Sequence, residues 1–385
     1  MKYKKYSHMK TLSIIGLITF LYLPALSTVR TVSNDATRPA QFNGTGNAGF
    51  VAAHTASSAG DTIYVYGSPF DYGTLTVSKR LVVIGAGYGP NNQFGQPTRA
   101  SQISLFRDGS TDPSSSVITG FLISGSITCT GTLVTNNVTV FRNRIGNYIY
   151  LYINSTLQAT GWTIYNNIVY QVLANATSRT AASATNILIA NNIITGSVTN
   201  FNSNTVLIDH NVFLGPTNLI ALWNAIVTNN IFVRSSGDLF ASEVIFNTFN
   251  KNISLQNTIG PATYSPTNIF ESTYTSTGGG SNSGSGNLVG TNPLFVNVPN
   301  NNTYDATYNY RLQAGSPGKA PFSTDGSDAG IYGGSYPFPS GGTPGSGFDT
   351  SPMPPIPQVT AVNIQNATIA PNGTLNVQVQ GRVNN

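Results

Sequence analysis

An all-β chain wound as a parallel β-helix is the fold class this sequence predicts, and three observations predict it. A tripeptide keeps returning: Asn166-Asn167-Ile168, Asn191-Asn192-Ile193, His210-Asn211-Val212 and Asn229-Asn230-Ile231, with degenerate copies at Asn143-Arg144-Ile145 and Lys251-Asn252-Ile253. Taken at residues 144, 167, 192, 211, 230 and 252, the copies are 23, 25, 19, 19 and 22 residues apart. A period of about 20 with variable insertions belongs to a solenoid in which each repeat is one coil. The apolar residues ahead of each copy alternate, so the coils are built of strands.

The elements follow in order. Lys2, Lys4, Lys5 and Lys10 precede an apolar stretch over residues 11–23, then Pro24 and Ala25-Leu26-Ser27, with small residues at the −3 and −1 positions of a cleavage site. That pattern predicts an export signal peptide over residues 1–27. The stretch is short for a membrane span, and no later segment approaches the length, so no transmembrane segment is expected in the mature chain. Residues 28–60 are expected to form an N-terminal cap, with a short helix around Ala52 and Ala53 covering the open edge of the solenoid. Residues 61–340 then form the β-helix and its closing segment. "LVVIGAG" (81–87), "SQISLF" (101–106) and "VITGFLISGSITCTG" (117–131) read as early strands with glycine at the corners.

The coils are regular from 138 to 253. Phe141, Ile164, Ile189, Ile208 and Val227 form one expected inward column, and Thr139, Trp162, Ile187, Val206 and Ala225 another. The asparagines sit where the chain must turn, because Asn tolerates the left-handed backbone region and its amide can bond the amide of the next coil. Asn143, Asn166, Asn167, Asn191, Asn192, Asn211, Asn229, Asn230 and Asn252 are therefore expected to form a structural ladder, with His210 substituting in it. Residues 61–253 give about nine coils, a rod on the order of 40 Å tall. Beyond them, "STGGGSNSGSG" (276–286) reads as a flexible loop and residues 341–357 as a Pro/Gly/Ser-rich linker. Residues 358–385 read as a C-terminal β-hairpin turning at Asn372-Gly373.

Composition narrows the function. The chain carries 18 Lys+Arg against 13 Asp+Glu, a net charge of +5; four lysines lie within residues 1–27, leaving 14 against 13. A mature chain near +1 has no basic stripe for nucleic acid. Its single cysteine, Cys129, excludes an internal disulfide framework and is expected to be buried.

The "NNI" coils, the opening "GDTIYVYGSPFDYGTLTVSKRLVVIGAGYG" and the closing "YRLQAGSP…DAGIYGG" together resemble secreted bacterial right-handed parallel β-helix proteins of the pectin-lyase-like superfamily, of Bacteroidetes type. The resemblance covers residues 30–340 and implies a right-handed coil and a secreted or cell-surface location. It leaves activity open, since the fold hosts lyases, hydrolases, adhesins and inert stalks.

The residues favour a non-catalytic surface or matrix protein over the alternative, a polysaccharide lyase or glycoside hydrolase. Calcium wants six to eight oxygens, and Asp209 is the sole carboxylate in the outward column Arg142, Tyr165, Ala190, Asp209, Thr228. No pair of carboxylates facing one bond is evident. Asp209-His210 is the most enzyme-like dipeptide, and Arg107, Asp108 and Asp112 lie in a turn-rich stretch; both are more simply read as turns. His54 has no evident partner. No catalytic residue, metal site or cofactor is assigned. The sharper surface feature is Tyr148, Tyr150 and Tyr152, which alternate with Ile149, Leu151 and Ile153. With the aliphatic side inward, the tyrosines form an outward aromatic strip suited to sugar rings, so polysaccharide or another cell-surface glycan is the expected partner.

Overall fold

Stacked parallel strands dominate the computed structural model, which describes residues 27–89, 96–181, 183–234, 238–256, 281–299, 303–339, 357–365, 368, 371 and 373–383. The expected signal peptide (except Ser27), residues 276–280 of the Gly/Ser-rich stretch, most of the linker and Asn372 of the expected turn lie outside the described residues; the rest of that stretch is not the flexible loop its composition suggests, because Ser283–Ser285 pairs with Thr248–Asn250 as a rung of the first sheet and Asn282 is bonded to Asn247. The remainder is a parallel β-solenoid of about 8 turns, one fewer than repeat length suggests.

A twelve-stranded parallel sheet runs from Phe42–Asn43 and Val29–Ser33 through Thr62–Val65 to Thr248–Asn250 and Ser283–Ser285. A fifteen-stranded sheet forms the other two faces. One coil shows the plan: Ile187–Ala190 lies in the first sheet, and Ile193–Ile194 and Val198–Asn202 in the second. Strands this short turn corners only where residues accept positive φ, and Asn186 (+53°), Asn191 (+52°) and Asn200 (+62°) supply this in that coil.

Alternation sorts the side chains. Val83, Ile118, Val140, Ile164, Ile189, Ile208, Val227 and Phe249 stack as one inward column in unbroken register, every one fully buried. Leu188, one residue from Ile189, is only half-buried. The first regular coil corrects the expected columns. Val140 pairs with Ile164, and Phe141 pairs with Tyr165 on the outer side, where their rings stack 4.9 Å apart at 5°. Val138, not Thr139, is the buried residue beside the Trp162 position. The degenerate copy aligns on Asn143 rather than Arg144, and a one-residue slip moves every side chain of a strand to the other face.

The N-terminal residues do more than cap. Val29–Ser33 is already a rung of the first sheet, pairing with Thr62–Val65. A helix, Ala48–Ala56, follows and buries Phe50 and Ala53 in the solenoid core. Lys79 Nζ donates to the carbonyls of His54 (2.7 Å), Thr55 (3.3 Å) and Ser57 (2.8 Å), placing a cation at the negative end of the helix.

At the other end the chain turns back. Phe295–Asn297 pairs antiparallel with Asn309–Leu312, and the residues that follow run back along the corner between the two sheets. Ile168, Ile193, Val212, Ile231 and Ile253, the last residue of each tripeptide, lie outside the solenoid core in a second cluster with Phe295, Tyr310, Leu312, Ala329, Ile331 and Phe338. The apolar third position thus exists to be covered by the closing segment. Pro357–Ile364 and Val377–Val383 form a separate antiparallel hairpin. Among the described residues no helix is long and apolar enough to cross a membrane.

Candidate functional site

Tyr148, Tyr150 and Tyr152 are placed by a strand that spans two faces. Arg144–Tyr150 pairs first with Ile168 and Val169, then, after a register shift between Ile145 and Tyr148, with Gln171, Val172 and Leu173. The bulge rotates the strand onto the third face, where Ile149 and Leu151 are fully buried and the tyrosines are half-buried and point outward. Tyr152 lies just past the strand, bridged to Gln158.

The three rings do not make one flat strip. Tyr148 and Tyr150 lie 5.2 Å apart at 51°, and Tyr150 and Tyr152 5.5 Å apart at 80°. Tyr170, 40% exposed, joins edge-on to Tyr148 at 5.9 Å. Tilted packing of this kind satisfies the ring quadrupoles and leaves a ridge of alternating edges and faces. Burial, reinforced by its two tyrosine neighbours, pushes the Tyr150 hydroxyl above its usual range, and burial does the same at Tyr152. Both therefore stay protonated donors. Polar rows flank the ridge in adjacent coils. On one side Gln102 donates to Thr128 (3.0 Å), and Ser104 and Thr130 share a bond at 2.6 Å. On the other, Gln171 bonds Ser197 and Thr199.

The asparagines divide into two sets. Asn143, Asn167, Asn192, Asn211, Asn230 and Asn252 form a continuous chain of bonds: the backbone N–H of each donates to the side-chain Oδ1 of the next, at 2.8–3.1 Å. Asn287 extends the chain by one more rung, hidden from the repeat by a 35-residue step after Asn252. Asn166, Asn191 and Asn229 stand outside it. They hold φ of +52°, +52° and +60°, in column with Arg142, His210 and Lys251. Their side chains grip the closing segment. Asn166 Nδ2 donates to Tyr336 O, and Asn191 Nδ2 to Ile331 O and Gly333 O. Asn229 bonds Thr324 in both directions, donating to its hydroxyl and accepting from its N–H. A second short ladder, Asn247 to Asn282, occupies another corner and has no repeat that would reveal it.

Asp209 and His210 meet two residues absent from the sequence argument, Asp325 and Ser327. His210 is buried, with Nε2 3.1 Å from Ser327 Oγ and 3.7 Å from Asp325 Oδ1. Its Nδ1 lies 2.8 Å from Asp209 Oδ2, but not in line for a hydrogen bond. Serine, histidine and aspartate here are not bonded in the order of a Ser–His–Asp relay. Ser327 donates its hydroxyl hydrogen to Asp325 at 2.6 Å, not to the imidazole. The backbone of Gly333 and Gly334 lies against the ring: a Cβ on either would sit 2.8 Å from a His210 ring atom. The Ser327 oxygen also accepts from Gly334 N at 2.9 Å, so the hydroxyl is engaged as donor and acceptor by the turn that carries it.

The other candidates are accounted for locally. Asp108 Oδ1 accepts from the backbone and hydroxyl of both Ser110 and Thr111, and Asp112 pairs with Arg107 at 3.1 Å. His54, which sequence left without a partner, accepts at Nε2 from Ser78 N at 3.1 Å. The buried Cys129 thiol is pushed up to about 12 by desolvation. Among the described residues, no group of three or more His, Cys, Asp and Glu side chains could hold a metal ion. No family model, curated protein or solved structure matches this chain.

Proposed function

We propose that this chain is an exported, non-catalytic β-helix of the pectin-lyase-like type, a surface or matrix protein that holds carbohydrate on the face carrying Tyr148, Tyr150 and Tyr152. The observation that supports this reading best is the ridge itself: four clustered tyrosines, half-buried or exposed, between rows of amide and hydroxyl side chains. Sugar rings present apolar C–H faces and a rim of hydroxyls, and that surface offers partners for both. None of the named ridge or row residues is charged, so the reading is for a neutral polysaccharide and for binding that changes little with salt.

Affinity electrophoresis of the purified chain through gels containing neutral polysaccharides tests it, with chain cleavage followed in parallel. At about 1 kcal/mol per ring contact, replacing all three tyrosines by alanine is expected to weaken retention by about a hundredfold. Circular dichroism checks that the variant is folded, and Asp209→Ala is expected to bind as the parent does. Normal retention of the folded tyrosine variant, or loss of a polysaccharide cleavage in Asp209→Ala, overturns the reading.

A further inference from the structure

The outer face of the first sheet carries a continuous aliphatic and threonine stripe. One outward residue from each of eleven of its twelve strands pairs directly with the next, from Val29 and Thr62 at one end to Thr248 and Ser283 at the other. Every member is Val, Thr, Leu, Ile or Ser, so the stripe carries no charge. Val29 is 62% and Ile226 37% exposed, Ser283 is exposed, and the rest are half-buried. Behind them runs the fully buried column that includes Val83, Ile164 and Ile208, a close-packed backing that keeps the face in shape.

The dimensions are those of a contact surface. Eleven rungs at about 4.8 Å make a strip on the order of 50 Å long, and strands mostly of three or four residues make it about 10 Å wide. A second copy laid on it would bury about 500 Å² on each side, or about 1,000 Å² in all, which reaches the lower bound for a specific protein interface. The closing segment is held at the opposite margin of the sheet, by Tyr165, Asn166, Asn191 and Asn229.

The order of bulk along the stripe points to the occupant. Thr163 stands at the sixth of the eleven rungs, with Thr139, Val117 and Val82 on one side of it and Leu188, Leu207 and Ile226 on the other. A second copy turned end for end about Thr163 sets Leu188 against Thr139, Leu207 against Val117 and Ile226 against Val82. Each long side chain then meets a short one, which is how facing layers fill space. Laid in the same direction, leucines would meet leucines and threonines would meet threonines, and the ends would be held apart. A twofold contact brings a patch against itself, and this patch has no charge to oppose its own copy. We propose that the stripe is the contact face of a homodimer, two solenoids stacked antiparallel, sheet on sheet, with the twofold axis at Thr163. The tyrosine ridge lies on another face of each copy, and the dimer does not rest on the glycan reading.

Sedimentation velocity of the whole chain across micromolar concentrations tests this. The parent is expected to pass from monomer to dimer as concentration rises. Leu207→Glu and Val117→Lys, each checked for folding by circular dichroism, are each expected to weaken the dimer about tenfold or more, since each buries an unpaired charge. Within one copy these two positions lie four rungs apart; across the antiparallel contact they meet. The double variant Val117→Lys/Leu207→Glu is therefore expected to dimerise more tightly than either single variant, because each new charge faces its opposite. A parallel stack would instead set Glu on Glu and Lys on Lys. The triple alanine variant of Tyr148, Tyr150 and Tyr152 is expected to dimerise as the parent does. The inference is overturned if the parent stays monomeric throughout, if either folded single variant dimerises as the parent does, if the double variant is no tighter than the single ones, or if the tyrosine variant loses the dimer.

Discussion

Asn191 holds a left-handed backbone at +52° and sends its amide out to the closing segment. Asn192, next in sequence, spends its amide inside the solenoid. It donates to Ile164 O, Ala190 O and Asn211 Oδ1 and accepts from both Asn167 N and Asn167 Nδ2. Asn192→Ala is therefore expected to cost roughly 2–4 kcal/mol, because it strands buried carbonyls and the Asn167 N–H without introducing backbone strain. Chemical denaturation measures this, and wild-type stability would remove the ladder from the account. His54 carries the pH dependence that belongs to a single residue. Burial, reinforced by Lys79, holds its imidazole below the usual 6.5. Between that lowered value and 6.5 the unfolded chain binds more protons than the folded one, so stability rises with pH across this window. The contribution is complete above about pH 6.5 and is lost as pH falls toward the folded value. Thermal melts from pH 7.5 to 5 should show a steeper fall for the parent than for His54→Gln, and parallel curves would count against it.

Among the elements, the closing segment depends on contacts that only glycine permits. Gly334 has φ of +72°, and a Cβ there would stand 2.8 Å from His210 Nδ1. Gly334→Ala is expected to loosen this segment by roughly 2 kcal/mol or more. Hydrogen exchange should then quicken at Gly330 and Gly333 N–H while the ladder N–H groups of Asn167 and Asn192 keep their protection; equal loss at both would show that segment and ladder fold as one unit. How far sequence reveals an element depended on repetition. The Asn-Asn corners recur, and the alternation before them set the faces of every regular coil from Trp162 onward. Where the copy degenerates, at Asn143-Arg144, nothing local fixes register, and the columns slipped by one residue. The outward side of the tyrosines followed from alternation. Their tilt, and the approach of Tyr170, come from a bulge at Ile145 to Tyr148 that alternation does not encode. Asp325 and Ser327 were out of reach because their meeting with His210 spans more than a hundred residues and obeys no period.

For the whole molecule, the returning segment touches successive coils in order. Phe322 lies over Lys251 at 5.4 Å, Thr324 bonds Asn229, Ser327 meets His210, Gly333 bonds Asn191 and Tyr336 bonds Asn166. Each coil meets a different short stretch of the segment. A solenoid of identical units can in principle gain or lose a unit freely, because each contacts only its neighbours. This one carries a tally of its own length. A duplicated coil, a second copy of residues 193–211 placed after Asn211, would extend the Asn chain without breaking a bond yet lengthen the stack by about 4.8 Å. The segment would then run short, and its grip on Asn166 and Asn191 is expected to be lost, read as rapid hydrogen exchange beyond Gly330 in a variant with unchanged circular dichroism. Protection there equal to the parent's would mean that the tally is not kept. If it is kept, coil number in this protein is set from its end, and a change in length requires two compensating edits more than a hundred residues apart in the chain.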